Sequence, residues 1–242
     1  MTCIFCIVLK KNHDQKTLVL RKKIDETKVL EILEDKKTAL FKSLFSRPKK
    51  SDIHIHSVKL HYECILLVSG KYMANYFRKA THSISFPSNV SEVVLGADVF
   101  PVRTKSNFKK AIVGKRGKNK VDLKLEEHVF VENEDELTFD HHGRAIKFPF
   151  KLNSKTTENY PNRLLEKNSS NVKNCELTHD DAIKKLQTFL KKPLDDEVRK
   201  IEEEFVLREI NKVYVPIYEA RLIGPKKKVS IIRIDAVRNK IL

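Results

Sequence analysis

The chain has 242 residues, 40% of them hydrophobic, which suffices to bury a sizeable core in one large domain or two small ones. Lysine and arginine number 48 against 32 aspartate and glutamate, so the formal net charge is +16 and a polyanionic partner is expected. No apolar stretch approaches the roughly 18 residues of a membrane-spanning helix, and the apolar residues 3–9 lack the features of a signal peptide, so we expect no integral membrane association.

Charge and cysteine usage bound the protein further. Residues 1–120 carry a formal net charge of +15 and residues 121–242 one of +1, so the excess positive charge lies almost wholly in the first half. The 4 cysteines are too few and too scattered for the disulfide framework of a small secreted domain. We therefore expect a reducing, cytoplasmic location.

The chain is predicted to open with a β-hairpin and then a helix. The apolar residues 3–9 and 17–20 are joined by a polar stretch, as in a hairpin. Residues 25–45 carry apolar side chains at spacings of three, four and seven, the stripe of a long amphipathic helix. Pro48 marks the end of this predicted helix.

Strands are predicted through the rest of the first half. Residues 58–68 and 72–86 read as two long strands, with a turn at residues 69–70, a serine and a glycine. Strand-like residues 90–103 follow. Residues 121–125 alternate apolar and polar side chains, as a half-buried strand does.

The predicted boundary between domains follows a hairpin. Residues 137–140 and 145–150 flank Gly143, a spacing that suits a hairpin with glycine where the backbone needs positive φ. A basic, β-rich and antiparallel domain is therefore placed at residues 1–150. Residues 151–176 are polar with few apolar anchors, which predicts a linker or surface loop.

Residues 177–242 are predicted to form a small helix-helix-β-hairpin domain. Thr178 has the chemistry of a helix N-cap, and Asp195 opens a second predicted helix. Residues 206–223 and 229–237 read as paired strands across a Gly-Pro turn. The chain as a whole is therefore predicted to have an α+β fold.

Two basic segments suggest contacts with nucleic acid. Residues 112–119, within the basic stretch 105–120, resemble the GXXG loop of KH domains, which clamps a nucleic-acid backbone. A KH loop lies between two helices, however, and the residues after this one alternate like a strand. A basic hairpin loop is the alternative, and either form could contact phosphate.

Residues 71–79 mix aromatic and basic side chains, the composition of a stacking platform for single strands. Tyr72 and Tyr76 would share one strand face, and Met73 and Phe77 the other. Packing of these rings against the core or a neighbouring strand is the alternative interpretation.

Candidate metal ligands have simpler explanations. Cys3 and Cys6 have the CxxC spacing of a zinc or redox site, but no second pair accompanies them, which favours buried structural cysteines. His54, His56 and His61 form the densest imidazole cluster, and exposed polar side chains account for them equally well. No bound metal is expected.

A catalytic role is not expected either. Asp140, His141 and His142 form a local acid-base group, but turn composition also accounts for these residues and is favoured. The sequence contains no Walker loop, no GxSxG elbow, no HExxH and no dinucleotide fingerprint. We therefore expect no enzyme activity and no cofactor.

Two strings carry a resemblance to a known family. They are YVPIYEARLIGPKKKVSIIRIDAVRNKIL at residues 214–242 and DHHGRAIKFPFKLNSKTTENYPNRLLE at residues 140–166. Together they resemble a conserved family of archaeal proteins of unknown activity. The resemblance implies a cytoplasmic archaeal origin and assigns no functional residue.

The leading hypothesis is a non-enzymatic binding protein whose basic first half engages nucleic acid or a ribonucleoprotein through phosphate contacts. The expected contact residues are Lys71, Arg78, Lys79, Lys105, Lys109, Lys110, Lys115, Arg116, Lys118 and Lys120. The alternatives are a scaffold or accessory protein that holds an acidic protein partner and a peripheral protein on an anionic membrane surface. The oligomeric state is left open.

Overall fold

A computed structural model describes residues 8–42, 48–87, 89–102, 119–193 and 198–242. The strands are β1 (Val8–Val19), β2 (His54–Phe86), β3 (Glu92–Leu95), β4 (Asp98–Pro101), β5 (Asn119–Phe139), β6 (Val172–Lys173), β7 (Arg199–Ile223), β8 (Val229–Asp235) and β9 (Lys240–Ile241). The α-helices in these ranges are α1 (Glu26–Phe41), α2 (Pro161–Lys167) and α3 (His179–Leu190).

One sheet of seven strands dominates the fold. Its order is β5-β2-β7-β8-β9, while β1 pairs with β7 and β6 pairs in parallel with β2. Strands β3 and β4 form a separate antiparallel pair. In the part of the chain that the structure describes, no helix is both long enough and apolar enough to cross a membrane.

The α+β prediction is wrong, because most of the ordered elements are strands. Residues 199–205, assigned to a second helix, form the beginning of the 25-residue strand β7. Glu203, Phe205 and Leu207 are buried there in alternation with less buried neighbours, which is the period of a strand and not of a helix. The predicted long helix is also shorter than expected, since α1 has 16 residues and ends at Phe41.

The predicted turn at residues 69–70 is wrong as well. Strand β2 continues through it as one strand of 33 residues. A Cβ atom on Gly70 would lie 3.0 Å from Phe205 Cζ and 3.1 Å from Leu186 Cδ2. Glycine is needed at this position because other side chains approach the backbone closely.

The opening hairpin is also corrected. Strand β1 runs without interruption through residues 10–16, which were expected to connect two strands. The polar character of that stretch therefore indicates strand residues and not a turn. The remainder of the predicted first strand, residues 3–7, lies outside the described residues.

Three local predictions in the second half of the chain are confirmed. Thr178 Oγ1 accepts a hydrogen bond from Asp181 N (3.1 Å) and caps α3. Strands β7 and β8 pair antiparallel from Ile217↔Asp235 to Ile223↔Val229. Gly143 has a φ of 76° in the turn after β5, the left-handed conformation expected of it.

The chain divides into two compact units, each assembled from separated segments. Among the described residues, unit 1 contains Val8 and the parts of 72–133 and 192–204, and unit 2 contains 9–71, 134–191 and 205–242. This differs from the sequential partition at residues 1–150, 151–176 and 177–242. The predicted linker holds α2 and β6.

Unit 2 has an apolar core on both faces of its part of the sheet. On one face, α1 buries Val29 and Leu33 against Leu222 and neighbouring residues. On the other face, Ile65 and Ile217 pack with partly buried residues of the segment 146–150. Because successive strand residues point to opposite faces, both sets of side chains are removed from water.

Candidate functional site

Unit 1 presents one buried and one exposed face of strand β5. Val121 and Leu123 are 3% and 4% exposed and form a small core with Val102. The alternate residues along the strand are exposed to solvent. We call this exposed side the open face, which consists of Phe77, Lys79, Thr81, Ser83, Lys120, Asp122, Lys124, Glu126, His128 and Phe130.

Cross-strand contacts define how β2 and β5 meet. Ser83 Oγ donates a hydrogen bond to Asp122 Oδ1 (2.5 Å), and Arg78 Nε donates one to Glu127 Oε2 (2.7 Å). The partner number rises on β5 as it falls on β2, so the strands are antiparallel. Directly opposed residues of such strands share a face, and this register therefore opposes residue 79 to residue 126.

Aromatic rings lie at the centre of the open face. The rings of Phe77 and His128 stack with their centroids 4.5 Å apart and their planes 13° from parallel. Lys200 Nζ lies 5.6 Å from the centroid of the Phe77 ring. Phe130, two residues beyond His128 on the same strand face, is 63% exposed. These rings offer flat apolar surface beside a cation.

Cations line a shallow groove that is formed by the same strands. Of the described residues, Lys79, Lys124 and Arg199 line this groove of about 850 Å³, together with one carboxylate, Glu126. Arg199 hydrogen-bonds Glu126 and thereby lowers the pKa of that carboxyl group. The pair is neutral as a whole, so the two lysines leave the groove positively charged.

A backbone irregularity brings strand β7 into this groove. Consecutive strand residues normally point to opposite faces, yet Arg199 meets Glu126 while Lys200 lies over Phe77, and both partners belong to the open face. The φ of Lys200 is 50°, a left-handed conformation that interrupts the alternation. The strand end thereby supplies one cation to the groove, Arg199, and one to the aromatic rings, Lys200.

The predicted contact residues do not all lie on the open face. Lys79 and Lys120 lie on the open face, whereas Arg78 points to the opposite face and pairs with Glu127. Lys71 is half-buried and belongs to unit 2. The other predicted contacts, and the KH-like loop that contains several of them, lie outside the described residues: Lys105, Lys109, Lys110, Lys115, Arg116 and Lys118.

The two tyrosines of the predicted stacking platform are core residues. Tyr72 and Tyr76 are 3% and 4% exposed. Tyr72 Oη donates a hydrogen bond to Glu203 Oε1 (2.7 Å), and burial together with this bond raises the pKa of Tyr72. The packing alternative is thus correct for the tyrosines, while Phe77 remains on the open face.

Sequence reasoning missed Lys124, Arg199, Lys200, His128 and Phe130. The signal for three of them was present, because extending the alternation of residues 121–125 along β5 places residues 124, 128 and 130 on its polar face. The two residues of β7 had no such signal, since that segment read as helical.

The candidate metal ligands do not assemble into a site where the structure shows them. Cys3 and Cys6 lie outside the described residues. His54 and His56 are exposed and His61 is half-buried. Across the described ranges, no group of three or more His, Cys, Asp or Glu side chains is arranged to hold a metal ion.

Asp140 organises a turn and does not pair with an imidazole. Its Oδ1 accepts hydrogen bonds from the backbone N–H of His142 (3.0 Å) and Arg144 (2.9 Å), and its Oδ2 accepts one from Arg144 Nε (2.8 Å). His142 Nδ1 lies 3.0 Å from Glu176 Oε1 instead. This geometry matches the turn interpretation of these residues.

A charged cluster in unit 2 centres on the buried carboxylate of Glu63. Lys173 Nζ donates to Glu63 Oε1 (3.0 Å), Arg233 pairs with Oε2, and His141 Nδ1 lies 3.6 Å from Oε2. Burial alone would raise the pKa of Glu63, but these cations outweigh it and hold the pKa below its ordinary value. The cluster is a partly buried ion-pair network around one carboxylate.

The buried thiol of Cys64 is a poor nucleophile. Burial raises the pKa of Cys64 to about 11, so the thiol stays protonated at neutral pH. Burial also raises the pKa of the nearby Tyr214 to about 12. Neither group has the ionisation that nucleophilic or acid-base chemistry at neutral pH requires.

Comparison with known proteins leaves the open face to be interpreted from its own geometry. No protein-family model matches this chain, and no curated protein and no solved structure matches it.

Proposed function

We propose that this protein binds single-stranded nucleic acid through the open face of unit 1, without catalysing a reaction and in a cytoplasmic setting. The observation that carries the proposal is the stacked pair of Phe77 and His128, with Lys200 over the Phe77 ring and Lys79 and Lys124 in the groove on the same strands. Proteins that bind single strands combine such rings with cations, because bases stack on the rings while phosphates meet the cations.

The exposed rings favour a single strand over a duplex. In a duplex the bases are already stacked on one another and their faces are inaccessible. Phe130, at 63% exposure, would leave a large apolar surface in water unless a flat group covered it. Unstacked bases are flat groups of this kind, and they reach the face on the same chain that supplies the phosphates.

The charge arrangement supports contacts with a polyanion. Glu126 is neutralised by Arg199, and Asp122 accepts a hydrogen bond from Ser83, so both carboxylates of the groove region already have partners. The lysines of the face outnumber these two carboxylates, so the face as a whole attracts a polyanion. Binding should weaken steeply with added salt, because each phosphate contact releases counterions.

The proposal is tested by fluorescence anisotropy with labelled single-stranded DNA and RNA that carry a 5′-hydroxyl, at several salt concentrations. The variant Lys79→Gln/Lys124→Gln should bind more weakly by about tenfold or more at low salt. Its plot of log affinity against log salt should be shallower by about 1.4, since a single strand loses roughly 0.7 per phosphate contact.

A matched control removes the same charge elsewhere. Lys184→Gln/Lys185→Gln changes two exposed lysines of α3 in unit 2. An equal loss in this control would show that net charge alone governs binding and would contradict the site. No binding by the wild type would contradict the function, and co-purification of an acidic protein that resists nuclease would favour a protein partner instead.

A further inference from the structure

Unit 2 contains a second concentration of positive charge, in a cavity of about 470 Å³. The cavity is lined by residues that follow β1, by residues 149–156 and by the turn after β8. Among the described residues that line it, none is acidic and five are cations: Arg21, Lys23, Lys151, Lys155 and Arg238. We call this feature the basic cavity.

Two of these cations are held in place by neighbouring groups. Arg238 Nε donates to Asp235 Oδ2 (2.6 Å), and Asp235 is itself 1% exposed. Arg21 Nη2 donates to Asn159 Oδ1 (3.0 Å), and its Nε lies 3.8 Å from Glu158 Oε2 in an ion pair. Both arginines are therefore paired, and the uncompensated positive charge of the cavity comes from its lysines.

The lysines of the basic cavity are not neutralised. No carboxylate lies within ion-pair distance of the ammonium groups of Lys23, Lys151 and Lys155 in the described part of the chain. Three like charges around one cavity repel one another, and a bound anion with more than one negative oxygen relieves that repulsion.

An aromatic wall completes the basic cavity. Phe150 packs edge-on against Phe148, with centroids 5.6 Å apart, and the guanidinium carbon of Arg238 lies 5.1 Å from the centroid of the Phe150 ring. Leu20 and Val237, 1% and 7% exposed, add apolar surface. A guanidinium and a phenyl ring both stack on planar rings. This lining fits a ligand that joins a planar ring to an anionic group.

Hydrogen bonds order the loop 151–156, which supplies two of the lysines. Asn153 Oδ1 accepts hydrogen bonds from Lys155 N (2.9 Å) and Thr156 N (3.1 Å). Thr156 Oγ1 donates to Lys151 O (2.7 Å), and Arg21 N donates to Thr156 O (2.9 Å). Because the loop is already ordered, little conformational entropy is lost when a ligand binds.

We propose that the basic cavity binds a phosphate group attached to an aromatic base, that is, a nucleotide, either free or at the end of a strand. The lysines contact the phosphate, and the base lies against Phe150 and Arg238. A volume of about 470 Å³ falls within the range of small-molecule sites. This site and the open face consist of different residues, and neither assignment depends on the other.

Calorimetric titration with ATP, AMP and adenosine tests the charge requirement. AMP should bind at least about tenfold more tightly than adenosine, and ATP more tightly than AMP, because each phosphate oxygen adds charge-assisted hydrogen bonds. Lys151→Gln/Lys155→Gln should weaken ATP binding by roughly tenfold or more. Both side chains are exposed, so this variant should fold normally.

A second variant tests the aromatic wall. Phe150→Leu should weaken AMP binding by roughly tenfold while leaving the affinity for inorganic pyrophosphate within about twofold, because only the base loses its stacking partner. The control Lys184→Gln/Lys185→Gln should leave both affinities unchanged, since these residues do not line the basic cavity.

Competition experiments separate the two sources of nucleotide. Displacement of AMP by a 5′-phosphorylated oligonucleotide, but not by its 5′-hydroxyl counterpart, would support binding of a strand end. Displacement by free nucleotides alone would support a mononucleotide ligand. The proposal is overturned if neither nucleotide nor pyrophosphate binds the wild type, or if the control variant loses as much affinity as Lys151→Gln/Lys155→Gln.

Discussion

Unit 1 and unit 2 carry their positive charge in different settings. In unit 2 the sheet is covered on both faces, by α1 and by the segment 146–150, and the cations surround a half-open cavity. In unit 1 the described part of β5 has a small core on one side, and its other side is exposed with stacked rings and lysines. An open face suits an extended ligand, whereas a cavity suits a compact one.

The largest difference between the units should appear in how each tolerates the loss of a phenylalanine ring. Phe205 in unit 2 is 1% exposed, and Phe205→Ala should lower the free energy of unfolding by about 3–5 kcal/mol. Phe130 on the open face is 63% exposed, and Phe130→Ala should change the free energy of unfolding by less than about 0.5 kcal/mol. Urea denaturation measures both. Equal losses would show that Phe130 is part of a core.

A smaller loss is expected where the covered sheet has no room. A Cβ atom on Gly224 would lie 2.5 Å from Phe41 Cδ1, so Gly224→Ala should lower the free energy of unfolding by about 1–3 kcal/mol. Phe41→Leu should relieve this crowding, and the double variant should therefore be more stable than the sum of the single effects predicts. Additive losses would argue against the contact. Thr81→Ala on the open face is the control and should change little.

Acid should destabilise unit 2 in two steps. Burial lowers the pKa of His141 from its ordinary 6.5, so its contribution is lost as the pH falls from there through the lowered value. The pKa of Glu63 is held below 4.5, so its contribution is lost as the pH falls from 4.5 through the lowered value. In the pH dependence of unfolding, Glu63→Gln should abolish only the lower step. Loss of the upper step in that variant would refute the assignment of the upper step to His141 and of the lower step to Glu63.

The smallest effect should distinguish the two faces of unit 1. Arg78 points away from the open face and is paired with Glu127, whose other oxygen lies 2.6 Å from His82 Nε2. Arg78→Gln should therefore change the affinity for a 5′-hydroxyl oligonucleotide by less than about threefold. Lys124→Gln removes the same charge from the open face and should lower the oligonucleotide affinity by a larger factor. Anisotropy titrations compare the two variants, and a reversed order would place binding on the other face.

Local signals were sufficient for some elements of the fold. The side chain of Thr178 predicts the start of α3 because it can cap a helix, and Gly143 predicts a turn because glycine readily adopts positive φ. Gly70 led to a wrong prediction of a turn, because glycine also occurs where a side chain packs closely against the backbone. The side chain that does so here, Phe205, lies far away in sequence. The period of β7 was likewise misread, since Ile201 and Phe205 fit a helical spacing as well as a strand.

The candidate site was predictable only in part for the same reason. The exposure of Lys79 and Lys120 follows from strand alternation along β2 and β5. That Arg78 is neutralised follows from a partner on another strand, which no local pattern reveals. The basic cavity depends on three separated segments, and its cations looked like ordinary surface residues in the sequence.

The central claim is that the open face and the basic cavity bind different ligands, and a paired measurement on two variants tests it most directly. Affinities for a 5′-hydroxyl oligonucleotide and for ATP are measured on Lys79→Gln/Lys124→Gln and on Lys151→Gln/Lys155→Gln. We predict that the first variant loses about tenfold in oligonucleotide affinity alone and the second about tenfold in ATP affinity alone. Parallel losses of both ligands in either variant would contradict the account.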